Sequence, residues 1–113
     1  QELAKCINDD DFRVRENAIK ALGKLKSKSV VDQLINSGLN DKEPRVKRTA
    51  IETLALIGDA KSVHPLIIAM NDDDQNVKKI VQVALSRLTG EDYGDDQQKW
   101  LDWWEKNKDK FKN

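Results

Sequence analysis

The chain has 113 residues, 38% of them hydrophobic and 35% charged, which suits one compact domain with a modest core. Twenty Lys and Arg balance twenty Asp and Glu, so no net field draws the chain onto nucleic acid or an anionic bilayer. A single cysteine, Cys6, excludes an internal disulfide, and apolar runs of only a few residues exclude a membrane-spanning helix.

The opening stretch, QELAKCINDDD, has no basic segment followed by an apolar one, so no signal peptide is expected. It lacks an initiator methionine and reads as the inside of a helix, as in a piece trimmed from a longer chain. Leu3 and Ile7 mark a short first helix. An Asp-rich turn, NDDDFR, follows, and then RVRENAIKALGKL places Val14, Ala18, Leu22 and Leu25 on one helical stripe. The stripe predicts a helix over 12–25. Leu34 and Leu39 mark the next short helix, NDKEPR the next turn, and Val46, Ala50, Leu54 and Ile57 a second striped helix over 43–57.

Pro44 falls at the start of that helix, where its missing N–H costs nothing, and Gly58 falls where a left-handed stop is needed. Asp59 is placed to cap what comes next. Leu66 and Met70 then give a third short helix, with Pro65 early in it, followed by the turn NDDDQN. Val77, Val81, Leu85 and Leu88 predict a third striped helix over 75–88. Beyond a loop with two glycines, a last helix over about 96–110 carries Trp100, Trp104 and Phe111 on one face, with Trp103 beside them.

The chain therefore states one unit three times: short helix A, Asp-rich turn, longer helix B. Matching positions are 32 and then 31 residues apart, as from Val14 to Val46 to Val77. No strand pattern occurs. Side-chain oxygens in the turns suit the free N–H groups of each helix B, and their charge suits its positive end. A pair of such helices cannot bury its apolar stripe alone, but stacked copies share a continuous core.

The segments DDDFRVRENAIKALGKL, DKEPRVKRTAIETLALIGDAKSVHPLIIAM and DDDQNVKKIVQVALSRLTG resemble the HEAT repeats, in particular their short bacterial form first associated with phycobilisome lyases. The resemblance covers about residues 3–90. It implies an all-α, right-handed α-solenoid of about three helical hairpins, with a C-terminal cap helix. The repeats divide the chain at about 1–26, 27–58 and 59–89, with linker and cap over 90–113. In the family, the basic residue after the valine bonds toward turn acids of a neighbouring repeat. Arg15, Lys47 and Lys78 hold that position here, and Asp9, Asp41 and Asp72 are the implied partners.

Chemical signatures are sparse. Cys6 matches Gly38 and Ala69 in the later repeats, a column of small residues that points to close packing. His64, the one histidine, lies 58 positions from Cys6, and the two make no metal or Cys–His motif. Asp72, Asp73 and Asp74 lack the alternating spacing, central glycine and late glutamate of a calcium loop, so capping explains them. The tryptophan face fits a lid over the last repeat better than a sugar or peptide platform. No phosphate loop or nucleophile elbow appears.

Neither enzymatic activity nor any cofactor or metal is expected, and the role expected is a protein-interaction or scaffolding module. Its partner would be another protein, met by the outward side of the B helices on the concave face of the solenoid. That side carries Glu16 and Lys20, then Arg48 and Glu52, then Lys79 and Val83. Their mixed signs suit a protein surface better than a nucleic acid. Two other classes are open: the structural end of a longer solenoid, or an accessory domain of a lyase whose chemistry lies elsewhere. A monomer or weak oligomer is expected, in the cytoplasm or periplasm.

Overall fold

The computed structural model describes residues 6, 9–25 and 30–111, except the side chain of Phe111. The described residues are helical, without strands. Helix α1 spans Phe12–Leu25. Helix α2, Val31–Gln33, continues into a π turn over Leu34–Gly38. Helix α3 spans Pro44–Ile57. A 3-10 turn, Ala60–Ser62, leads into α4, Val63–Ala69. Helix α5 spans Gln75–Thr89 and α6 spans Gln97–Asn107, ending in a 3-10 turn over Lys108–Phe111.

The three B helices, α1, α3 and α5, pack side by side in chain order. The π turn that continues α2 lies against α3, and α4 against α5. The particle measures 39 × 32 × 17 Å, so it is about two helices thick. Its core holds the predicted stripes: Ala18, Leu22, Val46, Ala50, Leu54, Val77, Val81 and Leu85 are all buried. Leu25, expected as the fourth member of the first stripe, is 59% exposed at the end of α1. The predicted Leu3 and Ile7 lie outside the described residues.

The turns explain why each helix B starts where it does. Asp9, Asp41 and Asp72 each turn one carboxylate oxygen onto the backbone N–H two residues ahead, at 2.9, 2.9 and 2.8 Å. Asp74 then caps α5 by accepting from the N–H groups of Asn76 and Val77. Glu43 gives α3 no side-chain cap, but Pro44 reduces the number of N–H groups left open there. Helix α3 ends at Gly58, whose φ of +76° is the left-handed stop that glycine adopts without strain.

Close approach decides the second short helix. A Cβ built on Gly38 would stand 2.5 Å from the Cβ of Ala50, so only glycine lets the π turn reach α3 this closely. The backbone widens at the same place, where the Leu39 N–H donates to the Leu34 carbonyl five residues back. Cys6 and Ala69, its counterparts, are partly buried against the core.

The cap helix docks on α4. Trp100 is fully buried and donates its indole N–H to the Gly94 carbonyl at 3.0 Å. Gln97 bonds the Ile67 carbonyl at 2.9 Å. Trp104 is only partly buried and stacks on His64, with ring centres 5.8 Å apart. Trp100 is therefore the anchor of the expected aromatic face, with Trp104 at its margin. The Phe111 side chain, the face's third member, lies outside the described residues.

Candidate functional site

Ionic links join consecutive repeats. Arg15 forks onto Asp41 of the next repeat, with Nε–Oδ2 at 2.8 Å and Nη2–Oδ1 at 3.0 Å. Its Nη1 also donates to the carbonyls of Asp9 and Asp10, so one side chain holds both turns. One repeat later Lys47 pairs with Asp72. Each base thus reaches forward to the following turn. The fork onto Asp41 raises the Arg15 pKa, against the effect of burial.

A second polar link involves a residue expected at the surface. Glu16 is buried, and this corrects its assignment to the outward side. Arg45 Nε lies 3.0 Å from its carboxylate, and the Thr49 hydroxyl lies 3.0 Å from Oε2. Burial opposes ionisation of Glu16, but these two hydrogen bonds outweigh it and hold the carboxyl below its usual range. The cause of the misplacement is geometric. A helix between two layers presents flanks to its neighbour as well as a stripe to the core, and Glu16 stands on the flank that meets α3.

The other five predicted residues divide by position. Lys20 and Glu52 are exposed and line a groove of about 430 Å³ between α1 and α3, together with Lys24, Thr53 and Leu56. Glu52 and Leu56 also border a groove of about 270 Å³ between α3 and α5, opposite Ile80, Val83 and Arg87. The two grooves therefore share one ridge. Arg48 is half-buried and lines neither. Lys79 is exposed but faces a separate hollow with Lys78, Gly94 and Asp95.

The floor of this face is apolar. Leu56 is 50% and Val83 69% exposed, on helices whose other apolar residues are mostly buried. Sequence reasoning named Val83 but missed Lys24, Leu56 and Arg87. All three lie four residues beyond named positions (Lys20, Glu52 and Val83), one helical turn along the same face, so the spacing already contained them. Among the described residues, no group of three His, Cys, Asp or Glu side chains is placed to hold a metal ion. No described helix is long and apolar enough to cross a membrane.

A family model described as HEAT repeats matches residues 1–86. The chain belongs to the HEAT-repeat family. Its Asp-rich turns, forward-reaching bases and paired helices are therefore the repeat's own parts. The HEAT-repeat chain is also similar to the bilin biosynthesis protein PecE of Mastigocladus laminosus, with 28% identity over 93 residues. That match covers 76% of this chain and 35% of the relative, so the chain spans about a third of that protein's length.

Proposed function

We propose that the chain is a noncatalytic protein-interaction module, which binds its partner on the outward face of the B helices. The observation that carries this is the pair of apolar-floored grooves joined along Glu52 and Leu56. Solvent-exposed Leu56 and Val83 would gain by being covered, at about 25 cal/mol per Å² of apolar area removed from water. Lys20, Glu52 and Val83 form the centre of this surface, and Arg48 and Lys79 its margin. The test is a pull-down by the native protein with partners identified by mass spectrometry. Leu56→Asp should lose the partner, whereas Asp10→Ser with Asp73→Ser, at the exposed turns, should keep it. The reverse pattern would move the interface to the ridge of turns.

A second reading is an accessory domain of a bilin-handling protein, whose chemistry lies outside this segment. It is favoured by the name of the relative alone. A visible absorption band travelling with the purified native protein would support it. A colourless preparation from cells that make bilins would count against it.

A further inference from the structure

The two grooves differ from a generic sticky surface in the charges along their rims. Lys20 and Lys24 stand on the α1 side, Arg87 on the α5 side, and Glu52 on the ridge between. Among the described residues none of the four forms a salt bridge. Glu16 is buried against Arg45, with Lys20 adding to the positive field on it, so the exposed rim itself carries three cations and one carboxylate, Glu52. The face is locally basic although the chain has no net charge.

We propose that the occupant is an acidic peptide segment of a protein partner, laid across α1, α3 and α5 with one apolar side chain in each groove. This deepens the interaction reading above and rests on it. Neighbouring packed helices stand about 8–10 Å apart, which sets the separation of the two anchors. That distance matches positions i and i+7 of a helix, about 10.5 Å, or i and i+3 of a polyproline-II strand, about 9 Å. Carboxylates beside the first anchor meet Lys20 and Lys24, and one beside the second meets Arg87. A nucleic acid would satisfy the cations but would leave Leu56, Ile80 and Val83 against its phosphates, with no gain from covering them. Rim charges of this kind set encounter and choice of partner more than they set the anchoring itself.

The probe is a displayed library of random twelve-residue peptides, selected on the immobilised 113-residue chain. The expected winners carry two apolar residues three or seven positions apart, flanked by Asp or Glu. Made synthetically, they should bind at least about tenfold more weakly to the Lys20→Glu, Lys24→Glu, Arg87→Glu triple variant, and likewise to Leu56→Asp. Melting curves would verify that both variants fold. Neutral or basic winners that still need Leu56 would overturn the acidic chemistry while leaving the interaction face standing. Winners indifferent to both variants would overturn both proposals, and a selection without winners would overturn the peptide. A twenty-base-pair duplex bound at micromolar affinity in physiological salt, and released by the triple variant, would replace the peptide with a polyanion.

Discussion

The guanidinium of Arg15 and the carboxylate of Asp41 form a two-bonded fork between consecutive repeats, with each side chain only 8% exposed. Removing one partner leaves the other charge buried alone. Arg15→Ala is therefore expected to cost about 3–5 kcal/mol in urea unfolding. Arg15→Lys keeps the charge but loses the planar fork and the bonds to the Asp9 and Asp10 carbonyls, for roughly 1–2 kcal/mol. Equal midpoints for wild type and Arg15→Ala would show that the fork contributes nothing.

Acid should loosen the stack at two known points. Burial opposes the charge on Glu16 and on Asp72, but their hydrogen bonds prevail and both carboxyls titrate below their ordinary values. The partners are Arg45 and Thr49 for Glu16, and Lys47 with the Asp74 N–H for Asp72. A depressed native pKa gives stability that is complete above the unfolded value, about 4, and is lost as pH falls through the native one. The melting temperature should thus begin to fall near about pH 4–5 and continue downward. Glu16→Gln with Asp72→Asn should flatten that fall, and an unchanged acid slope would refute the assignment.

Trp100→Ala should destabilise the fold by about 3–5 kcal/mol, because a fully buried indole leaves both a cavity and the unpaired Gly94 carbonyl. Trp104→Ala should cost clearly less, since its ring is only partly covered and stacks on His64. Denaturant midpoints of the two variants decide the order. A larger loss at Trp104 would mean that the cap helix docks in a different rotation.

Gly38→Ala is a test of close packing. Alanine favours a helix over glycine by about 1 kcal/mol, yet here the added methyl would meet the Ala50 methyl at 2.5 Å. Overpacking of about 1–3 kcal/mol should prevail, giving a net loss in thermal or urea unfolding. Adding Ala50→Gly returns the space and should recover part of it. A stabilised Gly38→Ala would show that α2 shifts freely on α3.

How much of this could be read beforehand depended on what set each feature. The B helices were expected at 12–25, 43–57 and 75–88, and they form at Phe12–Leu25, Pro44–Ile57 and Gln75–Thr89. Their stripes, caps and stops are local, so the spacing of apolar, Asp, Pro and Gly residues suffices. The π turn at Leu34–Gly38 was not legible, because its close approach to Ala50 depends on tertiary packing.

The site followed the same division. Lys20, Glu52 and Val83 line the two grooves, on the side of the B helices opposite the buried stripe, because one stripe implies its opposite. Glu16 was misplaced because burial on a flank depends on Arg45 and Thr49 arriving from another repeat, 29 and 33 residues away. Likewise, which tryptophan goes deepest depends on how α6 rotates onto α4, which helical spacing alone leaves open.

The polar contact around Glu16 also makes the repeats non-interchangeable. By the register of the repeats, Arg45 and Thr49 of the second unit correspond to Asn76 and Ile80 of the third. Were the third unit spliced directly behind the first, the Glu16 carboxylate would meet an amide and a hydrocarbon in place of a guanidinium and a hydroxyl. A buried charge stripped of its partner costs about 3–5 kcal/mol, a large share of what a domain this small has to spare. The converse splice, a second unit following itself, would set Arg48 where Glu16 now stands and bring two guanidinium groups together. The first junction therefore carries an address: the Glu16 carboxylate favours its native successor over a shuffled one, so chemistry as well as the peptide link bears on the running order there.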